Sequence, residues 1–99
     1  MSDLPSLLLR IQSLADGHAD DPPERLLEQV EHTLTDGYAQ ALVLEGERLR
    51  LQRELQSDGS EADDLRKRLA VNEEELRDLR AHLAGLRLRA QSMRAASSS

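Results

Sequence analysis

The sequence predicts an all-α protein: an antiparallel helical hairpin of coiled-coil type, two long helices preceded by a short N-terminal helix. Three observations carry this expectation. Leucine supplies 20 of the 99 residues while Tyr38 is the one aromatic, a composition suited to long helices and poor for a sandwich, barrel or α/β core. The segment 62–93 repeats apolar residues in alternating steps of three and four. Between residues 57 and 60 the chain reads Ser-Asp-Gly-Ser, a helix-ending glycine followed by a helix-capping serine.

The first element spans roughly residues 4–16 within an N-terminal unit of residues 1–17. Pro5 sits in the first turn, where a missing N–H costs little, and Gly17 fits the C-terminal cap. Leu4, Leu7, Leu8, Ile11 and Leu14 form its apolar stripe. A helix this short is marginal alone, so it is expected to dock on the hairpin or on a dimer mate. With Arg10 as its single base and no aromatic residue, it lacks the face of a membrane-surface helix.

The hairpin is expected to occupy residues 18–95. After the polar link 18–21, Asp21-Pro22-Pro23-Glu24 supplies a capping acceptor, a first-turn proline and an early carboxylate. The second helix then runs to about Ser57, with Asp36-Gly37 and Gly46 as its weak points and a kink near Gly37 as the main risk. The third runs from Glu61 to Ala95, and residues 96–99 are expected to form a disordered tail.

Its seam is Ala62, Leu65, Leu69, Asn72, Leu76, Leu79, Leu83, Leu86, Ala90 and Met93. The matching series on the second helix is Leu27, Val30, Leu34, Gly37, Ala41, Leu44, Arg48, Leu51 and Leu55. A reversal centred on Ser60 sets Leu55 against Leu65, Leu51 against Leu69, Leu44 against Leu76 and Leu34 against Leu86. Gly37 and Ala41 then oppose Leu83 and Leu79, large against small, and the two polar exceptions, Arg48 and Asn72, share one layer. A slip of one heptad buries each polar group without the other, at about 1–3 kcal/mol apiece, so the first register is favoured. A polar layer of this kind fixes register at some cost in stability. Flanking pairs expected from the same register are Glu54 with Arg68, Glu31 with Arg87 and Tyr38 with Arg80.

Charge excludes more than it identifies. The formal net charge is −6, all of it in residues 1–57, where 11 acids face 5 bases, and an overall negative charge disfavours nonspecific nucleic-acid binding. The end of the chain is the exception: Arg80, Arg87, Arg89 and Arg94 face no acid after residue 78. A nucleic-acid-associated regulator using that basic end is therefore the alternative from another class. With no cysteine there is no disulfide, thiol nucleophile or Cys-based zinc site. No apolar run nears the ~20 residues of a membrane span, and Asp3 and Arg10 interrupt any signal-peptide pattern, so a cytoplasmic protein without membrane contact is expected. Arginine outnumbers lysine 12 to 1, a bias that fits a GC-rich bacterial genome and carries no function.

Catalytic patterns are missing. His18, His32 and His82 are scattered, and no serine or carboxylate completes a triad. Residues 58–64 are acidic, but the glycine is second in the run, where a calcium loop needs it sixth. Glu45, Glu47, Glu73 and Glu75 gather near the polar layer and raise a carboxylate metal-binding bundle as a further alternative. Arg48 occupies the place a cation would need, so no cofactor and no metal are expected, and no enzyme. What remains is a second apolar stripe on the second helix, Ala39, Leu42, Val43, Gly46 and Leu49, off the seam. A helix apolar on two sides has two neighbours to satisfy. The leading expectation is therefore a non-catalytic protein-protein interaction module, a scaffold, adaptor or regulator that forms a homodimer through this stripe, with a further protein partner possible.

Overall fold

The computed structural model describes residues 4–15, 23–57 and 62–98, all helical: α1 (Leu4–Ala15), α2 (Pro23–Ser57) and α3 (Ala62–Ser98). The link 18–21 and the turn expected at 58–60 lie outside the described residues. The α2 helix begins on Pro23, a first-turn proline whose missing N–H would have had no partner. It continues unbroken through Asp36-Gly37 and Gly46, so the expected weak point makes no break. The α3 helix extends beyond Ala95 to Ser98, because Ala-Ala-Ser-Ser contains nothing that stops a helix.

The molecule is long, 59 × 20 × 17 Å, with a radius of gyration of 17.0 Å against about 13 Å for a compact domain of this length. That shape follows from α2 and α3, each about 50 Å long and packed together along their length. Their register can be read at Gly37. A Cβ added there would collide with Leu83 Cδ2 and stand 3.3 Å from its Cγ, so Gly37 faces Leu83 as the reversal about Ser60 requires. The seam residues Val30, Leu34, Leu44, Leu65, Leu76, Leu79, Leu83, Leu86 and Ala90 are buried.

The short helix packs on both long ones at the end remote from the turn. Its Leu4, Leu7, Ile11 and Leu14 are buried in one cluster with Leu26, Val30 and Leu34 of α2 and Leu79, Leu83, Leu86 and Ala90 of α3. Arg10 reaches Asp36 at 2.9 Å, fixing the side of α2 on which α1 lies. Of the two expected docking places, the hairpin or a dimer mate, α1 takes the hairpin: it sits in the groove between the two long helices and leaves the second apolar stripe of α2 uncovered.

Candidate functional site

Three surfaces were singled out by the sequence: the α2 stripe, the polar layer and the arginine-rich end. The stripe is open. Leu42 is 69% exposed, and Val43 and Leu49 each 54%, with Ala39 and Gly46 also exposed between them. At 100° per residue these positions centre on the side of α2 opposite Gly37, that is, opposite the seam. Among the described residues no side chain lies within 4 Å of the place a Gly46 Cβ would take, in contrast to Gly37.

Asn72 is buried to 95%, and its Nδ2 donates to the Leu44 carbonyl at 3.0 Å. In a regular helix that carbonyl also accepts from the N–H of Arg48, and its two lone pairs allow both. Asn72 Oδ1 and Arg48 Nε are both buried without a hydrogen-bond partner, so the amide turns to the α2 backbone and the two side chains do not bond each other. Around this layer the four glutamates separate into two pairs. Glu47 and Glu75 share a hollow of about 460 Å³ with Asn72, Leu51, Lys67 and Arg68. Glu73 shares one with Arg48, Leu76, Arg77 and Arg80 on the opposite flank, where Glu45 also meets Arg80. Among the described residues no three ligand-type side chains converge on a cation site.

Two of the four arginines at the end of α3 are held by glutamates. Arg80 pairs with Glu45, and Arg94 holds Glu31 at 3.1 Å. Arg89 turns inward enough to bury its Nε. At this end one expected pair is replaced, since Arg94 takes the Glu31 assigned to Arg87, while Arg80 takes Glu45 and still lines one hollow with Tyr38. Arg68 bonds Asp64 within its own helix at 3.5 Å, in place of Glu54. The cause is regular: Glu31, Tyr38 and Glu45 stand one heptad apart, as do Arg94, Arg87 and Arg80. Flanking side chains therefore pair diagonally, five residues along α3 from the position directly opposite. Tyr38 and Arg87 form the middle rung and line a hollow of about 500 Å³ with Ala41, Leu83, Ala84 and Leu88.

Histidines are separate. His32 is 3.6 Å from Asp36 on the surface, and His82 Nδ1 is hydrogen-bonded to the Asp78 carbonyl at 2.7 Å. His18 lies outside the described residues. Sequence reasoning missed Leu26 and Thr33, both buried on the α1 side of α2. The signal was present in the spacing of Leu26, Val30, Thr33 and Gly37, but a polar threonine in the middle conceals the stripe. No helix of the described residues is long and apolar enough to cross a membrane. Comparison with protein-family models, curated proteins and solved structures gave no match.

Proposed function

We propose that this protein is a non-catalytic helical interaction module that forms a homodimer and serves as a scaffold, adaptor or regulator. The observation that supports it is the exposed stripe of Leu42, Val43 and Leu49 on the face of α2 opposite the seam. None of the described residues covers this surface, since α1 lies in the groove between α2 and α3. Docking withdraws each of these side chains from water, and full burial of such a residue contributes about 1.5–3 kcal/mol. The described hollows are shallow channels along helix flanks and bring no acid, base and nucleophile together, which fits binding better than catalysis. The basic end offers less to nucleic acid than the sequence promised, because Arg80 and Arg94 are engaged by glutamates. Light scattering of the wild type against Leu42→Glu/Leu49→Glu tests this reading. We expect a dimer at micromolar concentration that the double substitution converts to monomer with its helicity retained. A helical wild-type monomer would refute it.

A further inference from the structure

Resting on that reading, we infer how the two copies meet: α2 packs antiparallel on α2 of the second copy, with the two-fold axis beside Leu44. The exposed face of α2 has its own heptad, Thr35, Ala39, Leu42, Gly46, Leu49 and Arg53, in steps of four and three. Reversed on itself about Leu44, the series is self-complementary. Leu42 falls on Gly46 of the second copy and Leu49 on its Ala39, so each large side chain meets a small one and the backbones approach closely. Arg53 falls on Thr35, a polar layer at each end. Shifting the centre by half a heptad toward the C-terminus sets Leu42 on Arg53. The opposite shift leaves Leu49 facing Glu31 or His32.

Charge favours the same occupant. Two-fold symmetry brings equivalent flanks together, so Asp36 on one edge stands near Arg50 of the second copy, and Val43 meets Val43 at the axis. Arg50 and Arg53 have no ion pair with a described residue of their own chain. On the other edge Glu45 approaches its own copy, and each is neutralised by Arg80. The face is thus apolar in the middle, sets Arg50 at one edge beside an Asp36 that Arg10 and His32 of its own chain already hold, and is neutralised at the other, which suits a second copy of this chain.

Gly46 separates the close approach from the fold itself. A Cβ there meets no atom of the described residues of its own chain within 4 Å, and the same holds for Gly85 on α3. Gly46→Leu is expected to raise the dimer Kd at least about tenfold with helicity unchanged, the effect of overpacking a tight contact, while Gly85→Leu leaves it unaltered. Because the chain has no cysteine, orientation can be read from single cysteines and a short bifunctional maleimide. Val43→Cys should cross-link to itself, its two copies being about 3 Å apart along the axis in this register. Leu49→Cys should not, since its copies stand about 15 Å apart. Cross-linking of Leu49→Cys as fast as Val43→Cys, or a Gly46→Leu dimer of wild-type affinity, overturns the antiparallel register and leaves the dimer standing. A wild-type monomer by light scattering overturns the self-association reading and this inference with it.

Discussion

The two ends of the hairpin are built from the same heptad leucines and differ in how many helices surround them. At the end where α1 docks, Ile11, Val30, Leu79 and Leu86 are the most completely buried large side chains of the molecule. Near the turn Leu65 is buried, but the seam leucines Leu51, Leu55 and Leu69 keep part of their surface in water, because a two-helix interface closes only one side of each. Heptad position therefore decides which way a side chain points, while the third helix decides how much water it loses. The stabilising core lies with α1, and the turn end is a two-helix extension of it.

Breaking that contrast gives the largest expected effects. Ile11→Ala removes a fully buried side chain from the three-helix cluster and should cost about 2–5 kcal/mol. At roughly 4–8 °C per kcal/mol for a domain of this size, the melting temperature should fall by at least about 10 °C. Leu55→Ala at the turn end should cost about 1 kcal/mol, since much of that side chain is already wet. Thermal melts of the two variants test the comparison directly, and equal losses would show that α1 adds little to the core. Deleting residues 1–17 should lower the melting temperature further than Ile11→Ala and promote aggregation, because Leu26, Val30 and Leu86 then lose their cover.

The polar layer comes next. Arg48 and Asn72 each keep a buried polar atom without a partner. Replacing both with Leu should raise stability by about 1–3 kcal/mol, the penalty commonly attached to such groups. Oligomeric state should become less uniform at the same time, since no polar group would remain to penalise other registers. Thermal denaturation and light scattering on the double variant read the two effects separately.

How much of this was legible in the sequence follows from which contacts are local. The limits of α2 were, since it opens on Pro23 and runs to Ser57, whereas α3 continues past the expected Ala95 to Ser98. So was the seam register, because Gly37 and Ala41 can face leucines in only one reversal that also keeps Arg48 level with Asn72. The position of α1 was not. Its stripe of Leu4, Leu7, Ile11 and Leu14 fits any apolar groove, and the groove it chose is marked on α2 by the adjacent pair Leu26-Leu27, one residue on each side of the seam. Thr33, polar by composition and buried by place, hides the same groove. The opposite charges of Arg10 and Asp36 were a usable clue, but only with the spatial arrangement in hand does their 2.9 Å contact stand out from other possible pairings. The open stripe was legible as a surplus of apolar residues, since Leu42 and Leu49 had no seam position to fill.

Glycines sharpen the comparison between covered and open faces of α2. Gly37→Ala gains helix propensity of about 1 kcal/mol but drives a methyl group into Leu83, which is itself buried and has little room to move. Overpacking of this kind costs about 1–3 kcal/mol, so the net change should be a loss of up to about 2 kcal/mol. Gly85→Ala meets open space and should stabilise by about 0.5–1 kcal/mol. Urea denaturation of the two variants should therefore give midpoints displaced in opposite directions, and a stabilising Gly37→Ala would contradict the close approach of α2 to α3.

The smallest effects are expected from the ion pairs that tie the ends of the helices. Arg94 meets Glu31 and Arg10 meets Asp36 through side chains that remain about half exposed. Water screens such pairs, and holding two long side chains in one geometry costs entropy, so each contributes about 0–1 kcal/mol. The Arg10 pair should be worth the more of the two, because it orients a helix of only 12 residues against α2, whereas Arg94 joins helices already fixed by their seam. A double-mutant cycle on Arg10 and Asp36 should give a coupling of a few tenths of a kcal/mol at low salt, declining as ionic strength rises. The same cycle on Arg94 and Glu31 should lie near zero throughout. If instead the second pair coupled more strongly than the first, the ion pairs would be reinforcing the α2–α3 seam, and the docking of α1 would rest on its apolar stripe alone.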